Sequence, residues 1–159
     1  FTHIGGGPEL KRLKRTTNYW NISDRVTWLG PRSQEEVIAA YRKADIFVLA
    51  SKIANNGDRD GLPNVLIEAQ SQGLPCVSTR VSGIPELIKD EVTGLLVEPG
   101  DIRGLSSQLG RLINSGELRT SLGLAGQKKV QTEFDFQTCV EAIANLFGLN
   151  NKNHIDKVA

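Results

Sequence analysis

The sequence predicts an α/β domain built on a doubly wound parallel sheet, and three observations carry that prediction. Short apolar runs recur at "FTHI" (1–4), "RVTWLG" (25–30), "DIFVLAS" (45–51), "PCVSTR" (75–80) and "GLLVEP" (94–99), each the length of a strand. Helical patterns lie between them, and such alternation means right-handed crossovers joining parallel strands covered on both faces. The loops share a grammar: "IGGGPEL", "DGLPNV" and "SGIPEL" each give glycine, then proline, then a polar or acidic residue.

Taken in order, the first strand leads into Gly5-Gly6-Gly7 and then Pro8, which suits a first helical turn because its missing N–H would be unpaired there. After the second strand, Ser33 and Glu36 stand in capping-box spacing, and Val37, Ala40, Tyr41 and Ala44 follow on one helical face. The third strand leads to Pro63, expected to open a helix whose faces are covered by Val65, Leu66, Ile67 and Ala69. Beyond the fifth strand the chain is wholly helical: Ile102, Leu105, Leu109 and Leu112 repeat at helical spacing, and Gly116 is expected to stop that helix. A second helix passes through Leu118, Leu122 and Ala125, and Asp135 caps a third carrying Val140, Ile143 and Phe147. Residues 1–149 are thus expected to form one domain, with "NNKNHIDKVA" (150–159) a frayed, flexible tail.

At 159 residues the chain can bury about two thirds of the surface it would expose unfolded, without metal or disulfide. Its 19 basic and 18 acidic residues leave a formal charge of +1, which argues against nucleic acid or an anionic membrane as the main partner. Cys76 and Cys139 stand far apart, without CxxC or Cys/His spacing, which argues against a metal site and for reduced thiols in a cytosolic protein. Cys76, inside a strand, reads as a small buried apolar residue. The start at Phe1, within a strand, suggests a piece of something longer.

The glycine triplet does not make a dinucleotide fingerprint, since counting from Gly5 puts Leu10 where the last glycine belongs, and no P-loop occurs. The segment "DRDGLPNVLIEAQSQGLPCVST" says more. The free amides at the start of its helix carry roughly half a positive charge and suit an anion. Asp60 stands outside that mouth and Glu68 lies further along, on a stripe with Asn64 and Ser71 or Gln72. That stripe reads either as a solvated face or as a ligand face. An acid among helix-burying residues is costly unless paired, and a ribose, with two vicinal hydroxyls, would pair it.

These residues carry a resemblance. "DIFVLAS...DGLPNVLIEAQSQGLPCVSTRVSGIPELIKDEVTGLLVEPGD", together with "IGGGPEL" and "RVTWLG", resembles the C-terminal, donor-binding half of the retaining GT-B glycosyltransferases of the group 1, or family 4, class. The resemblance runs from Phe1 to about Phe147 and implies a Rossmann-like domain, one half of a GT-B fold, that holds a nucleotide diphosphate sugar against a second such domain. It implies that Glu68 grips the ribose, and that Asp60 contacts the donor sugar and stabilises charge as the glycosidic bond to the diphosphate breaks. It implies too that the amides of Leu62, Asn64 and Val65 hold the phosphates, and that Gly61 leaves room for the sugar. Leu29 and Gly30 fall where the family's backbone meets the nucleobase.

No metal or other cofactor is implied; the donor is itself the substrate, and the acceptor is a hydroxyl of a glycan, lipid or small molecule. Two departures matter. Asp60 replaces the family's glutamate and is one carbon bond, about 1.5 Å, shorter in reach. The family's basic diphosphate clamp and its acceptor domain are expected upstream of Phe1, so this piece alone should bind weakly and catalyse nothing. His3, alternating within a strand, reads as a packed residue, and Lys52 and Arg59 as solvated loop cations or charges near the phosphates. The expected location is cytoplasmic, with peripheral docking on the inner membrane face through the missing half. Two other readings stay open: a stand-alone nucleotide- or protein-binding module without chemistry, and part of a nucleotide-sugar epimerase.

Overall fold

The computed structural model describes residues 1–54 and 56–149, and the chain divides into two compact units, Phe1–Lys43 and the part from Ala44 onward. The expected tail, residues 150–159, lies outside the described residues.

In the first unit, β1 (Thr2–Ile4) and β2 (Thr27–Gly30) pair in parallel, with His3 beside Trp28 and an irregularity between His3 and Ile4. Helix α1 (Leu10–Tyr19) and a 3-10 turn at Ser23–Arg25 make the crossover. Helix α2 (Gln34–Tyr41) opens on the expected capping box: the Glu36 amide donates to the Ser33 hydroxyl at 3.3 Å and the Ser33 amide to the Glu36 carboxylate at 2.9 Å. Those bonds, with Arg32 nearby, hold the Glu36 carboxyl below its ordinary pKa. His3 is half-buried, its ring tilted on Trp28 at 5.1 Å.

The second unit holds a parallel sheet in the order β3 (Phe47–Leu49), β4 (Cys76–Thr79), β5 (Leu95–Val97). Helix α3 (Asn64–Ser71) connects β3 to β4, and the short α4 (Ile84–Leu87) connects β4 to β5. Three helices follow, α5 (Ile102–Asn114), α6 (Gly116–Glu133) and α7 (Phe136–Leu146). β4 is buried throughout, as a strand covered on both faces should be. Val77 and Leu95 pack there with Leu112 of α5 and Leu122 of α6. Cys76 is fully buried, and burial raises its thiol pKa far above the ordinary value.

Several local expectations need correction: Pro8 is not in the first turn of α1 but precedes its cap, Glu9. Gly116 does not end a helix; Ser115 closes α5 and caps α6, its hydroxyl accepting from the Leu118 amide at 3.1 Å, so Gly116 is the first residue of α6. Pro63 is not the first helical residue of α3 but its cap, with an extended ψ of 122°. Asp135 caps α7 as expected, accepting from the amides of Gln137 and Thr138.

Candidate functional site

The second unit brings two of the glycine-proline loops together. Ser78 and Thr79, at the end of β4, donate to the Leu49 and Ser51 carbonyls at 2.7 and 2.6 Å, and so fix the start of the loop that runs from β3 to α3. At the other end of that loop the Gly83 amide donates to the Gly61 carbonyl at 2.8 Å. A methyl group at Gly83 would stand 3.2 Å from that carbonyl oxygen and 3.4 Å from Leu62, so glycine is what allows the approach.

Because Pro63 is the cap, α3 begins with the amides of Asn64 and Val65, while the Leu66 amide turns back to the Pro63 carbonyl at 3.0 Å. Among the described residues no hydrogen bond uses the amides of Leu62, Asn64 or Val65. Three donors thus stand at one helix mouth, where the macrodipole adds positive potential. The shift of the helix start takes the Leu66 amide out of the set of free donors.

Glu68 lies one turn further along and is half-buried, and its carboxylate has no hydrogen bond or ion pair among the described residues. Only its backbone is engaged, the Ser71 hydroxyl donating to the Glu68 carbonyl at 2.7 Å. Asp60 and Gly61 are exposed in the loop before the helix, and the Asp60 carboxylate likewise has no partner among the described residues. Arg59 and Lys52 flank it, exposed and outside any ion pair among the described residues. Asp60, Gly61, Leu62, Asn64, Val65 and Glu68 therefore all lie on one loop and the helix it feeds.

Leu29 and Gly30 belong to the first unit, at the end of β2. Leu29 is half-buried, and Gly30 takes a φ of 70°, a left-handed conformation that favours glycine. Its carbonyl accepts from the Gly5 amide at 2.9 Å, so part of its hydrogen-bonding capacity is committed within that unit. No group of three or more His, Cys, Asp or Glu that could hold a metal occurs among the described residues.

The sequence reading passed over Gln70. It is fully buried on α3, and its Nε2 donates to the Thr93 carbonyl at 2.6 Å while its Oε1 is buried without a partner among the described residues. The available signal was a glutamine off the polar stripe, matched by two glycines, Gly123 and Gly126, on a later helix.

The family described as "Glycosyl transferases group 1" matches residues 1–129. The amylovoran biosynthesis glycosyltransferase of Erwinia amylovora is 38% identical over 146 residues, covering 92% of this chain and 36% of that protein. The chain thus spans little more than a third of that relative. Among solved structures, the C-terminal domain of a group 1 glycosyl transferase from Francisella tularensis matches with a TM-score of 0.71 at 25% identity, over 82% of this chain and 67% of that one. Anabaena HepE in complex with UDP matches with a TM-score of 0.80 at 22% identity, over 92% of this chain and 40% of that one, a likeness of fold. No helix among the described residues is long and apolar enough to cross a membrane. With parallel sheets, a glycine-proline helix mouth and a family match over most of its length, this chain belongs to the group 1 glycosyl transferases.

Proposed function

We propose that this chain is the donor-binding half of a glycosyltransferase that moves a sugar from a nucleotide diphosphate sugar to a hydroxyl acceptor with retention of configuration. One observation carries the reading: amides at the mouth of α3 and a half-buried Glu68 one turn in, all without a partner among the described residues, offer a phosphate site and a hydroxyl site on one rigid element. A nucleoside diphosphate needs both. The amides of Leu62, Asn64 and Val65 meet the charge of the departing diphosphate, so the helix mouth does what a metal would otherwise do, and no metal is required. Glu68 accepts from the ribose hydroxyls. Asp60 faces the donor sugar and stabilises positive charge at the anomeric carbon as the bond to the phosphate oxygen lengthens, and Gly61 leaves space for the ring.

The relative in Erwinia amylovora is described as acting in amylovoran biosynthesis, and HepE was crystallised with UDP. Those names support a polysaccharide-building role for the parent protein and a uridine or similar nucleotide as donor carrier. The acceptor is bound by the part of such relatives that this chain does not span, and any membrane docking belongs to that part as well.

Titration calorimetry of UDP, GDP and ADP into the chain tests the site. Binding of at least one nucleotide is expected, and Glu68→Gln should weaken it by about 1 to 3 kcal/mol with the fold intact, since one charged hydrogen-bonding partner is lost. Absence of binding at millimolar nucleotide, or full affinity in Glu68→Gln, would overturn the reading.

A further inference from the structure

We propose that Gln70 is a positioning residue of this site: locked on the far side of α3, it sets the rotation of that helix about its axis and so the direction of the Glu68 carboxylate. The inference rests on the reading of Glu68 as the acid that holds the nucleotide.

Successive helical residues are about 100° apart, so Gln70 projects roughly opposite Glu68, and whatever fixes one fixes the heading of the other. Gln70 is fixed on several sides. Its Nε2 donates to the Thr93 carbonyl, in the segment between α4 and β5, at 2.6 Å. Behind it α6 comes so close at Gly126 that a methyl group there would lie 2.8 Å from Gln70 Nε2 and 3.1 Å from the Thr93 carbonyl oxygen. One residue on, the Gln127 amide donates to the Ser71 carbonyl at 3.0 Å, and at Gly123 the same helix packs on the Gly73 carbonyl with no room for a side chain. The last turn of α3 therefore cannot roll against α6 without breaking a bond or forcing a clash. Lys129, the next buried position on α6, donates to the Glu86 carbonyl of α4, so one helix braces both elements whose loops meet at Gly61 and Gly83.

Stability alone does not explain a glutamine here. Its Oε1 is buried without a partner among the described residues, which is unfavourable; methionine, unbranched and of the same length, would remove that loss but leave the Thr93 carbonyl without its Gln70 donor, so the two roughly balance. What methionine would lack is a directional bond. Gln70 supplies direction.

The test is a double-mutant cycle in the chain, read by titration of UDP, GDP and ADP and by thermal unfolding. Gln70→Met should weaken nucleotide binding about fivefold with a single cooperative unfolding transition retained, while Glu68→Gln should weaken it about tenfold. If Gln70 acts through Glu68, the double variant should bind no more weakly than Glu68→Gln alone. Gly126→Ala, which pushes the Gln70 amide from its seat, should repeat the pattern and serves as a second probe. The proposal fails if Gln70→Met leaves affinity unchanged, or if its effect is equally large in the Glu68→Gln background, as a purely structural role would give. Wild-type protein that binds none of the nucleotides, or binds them without need of Glu68, would instead remove the donor-site reading itself and this inference with it.

Discussion

A single side chain can matter through burial or through charge, and this protein separates the two. Leu66 of α3 is fully buried whereas Val65 beside it is 36% exposed. Leu66→Ala should cost about 2–5 kcal/mol and Val65→Ala under about 1 kcal/mol, measurable as shifts in a urea midpoint at unchanged slope. The charged counterpart is Glu91, which accepts from both terminal nitrogens of Arg111, one bond at 2.8 Å. The Arg111 hydrogen bond, opposed by some desolvation and aided by the guanidinium charge, holds the Glu91 carboxyl below its ordinary value of 4.5. A depressed acid contributes stability that is whole above its unfolded pKa and is lost as pH falls through the folded one. The melting temperatures of wild type and Glu91→Gln should therefore differ at neutral pH and converge as pH falls below 4.5 and through the depressed pKa of the folded state. The pair is half exposed, so the difference should be no more than about 0.5 kcal/mol and should shrink with salt. At this scale Cys76 was legible, because a small thiol inside an apolar strand has one obvious place to go. Gln70 was not: its role depends on Thr93 and Gly126, residues distant in sequence that leave no periodic mark beside it.

Among the elements, the caps were the most readable features and the prolines the least. Ser33 with Glu36, and Asp135, cap their helices as the spacing implied, since these bonds span three residues or fewer and depend on nothing remote. Ser33→Ala should cost about 1 kcal/mol, seen as a lower melting temperature. The three glycine-proline loops look alike in sequence yet place proline differently: before the cap of α1, at the cap of α3, and second within α4. Proline fixes its own φ but not the residue at which helical bonding begins, so the word is local and its register is not. The tight seam between α3 and α6 was likewise hidden. A methyl at Gly123 would meet backbone, which cannot swing aside as a side chain could, so Gly123→Ala should destabilise by about 1–3 kcal/mol or more. Thermal unfolding measures this directly, and an unchanged midpoint would mean that the seam opens freely.

Across the whole molecule, burial is uneven. The fully buried apolar residues lie from Leu66 onward, while Tyr41 alone represents the first unit among the buried hydrophobics. Amide hydrogen exchange should accordingly be slowest in β4 and its neighbours β3 and β5 and faster in β1 and β2; equal protection in both units would contradict this. The five strands among the described residues could all be read from their apolar runs, because a strand's own burial is written in its residues. The grouping into β1–β2 and β3–β4–β5 could not, since alternation says nothing of which ladder a strand joins. Every ladder among the described residues is parallel, and this bears on how the chain comes to be made. Thr2 must wait for Thr27, and Phe47 for Cys76, before either finds its neighbour. Among the described residues no hairpin is present that could form early and shield a strand emerging from the ribosome. Refolding from denaturant should therefore be slow for so short a polypeptide and its yield should fall with concentration, with bare strand edges as the sites of mispairing.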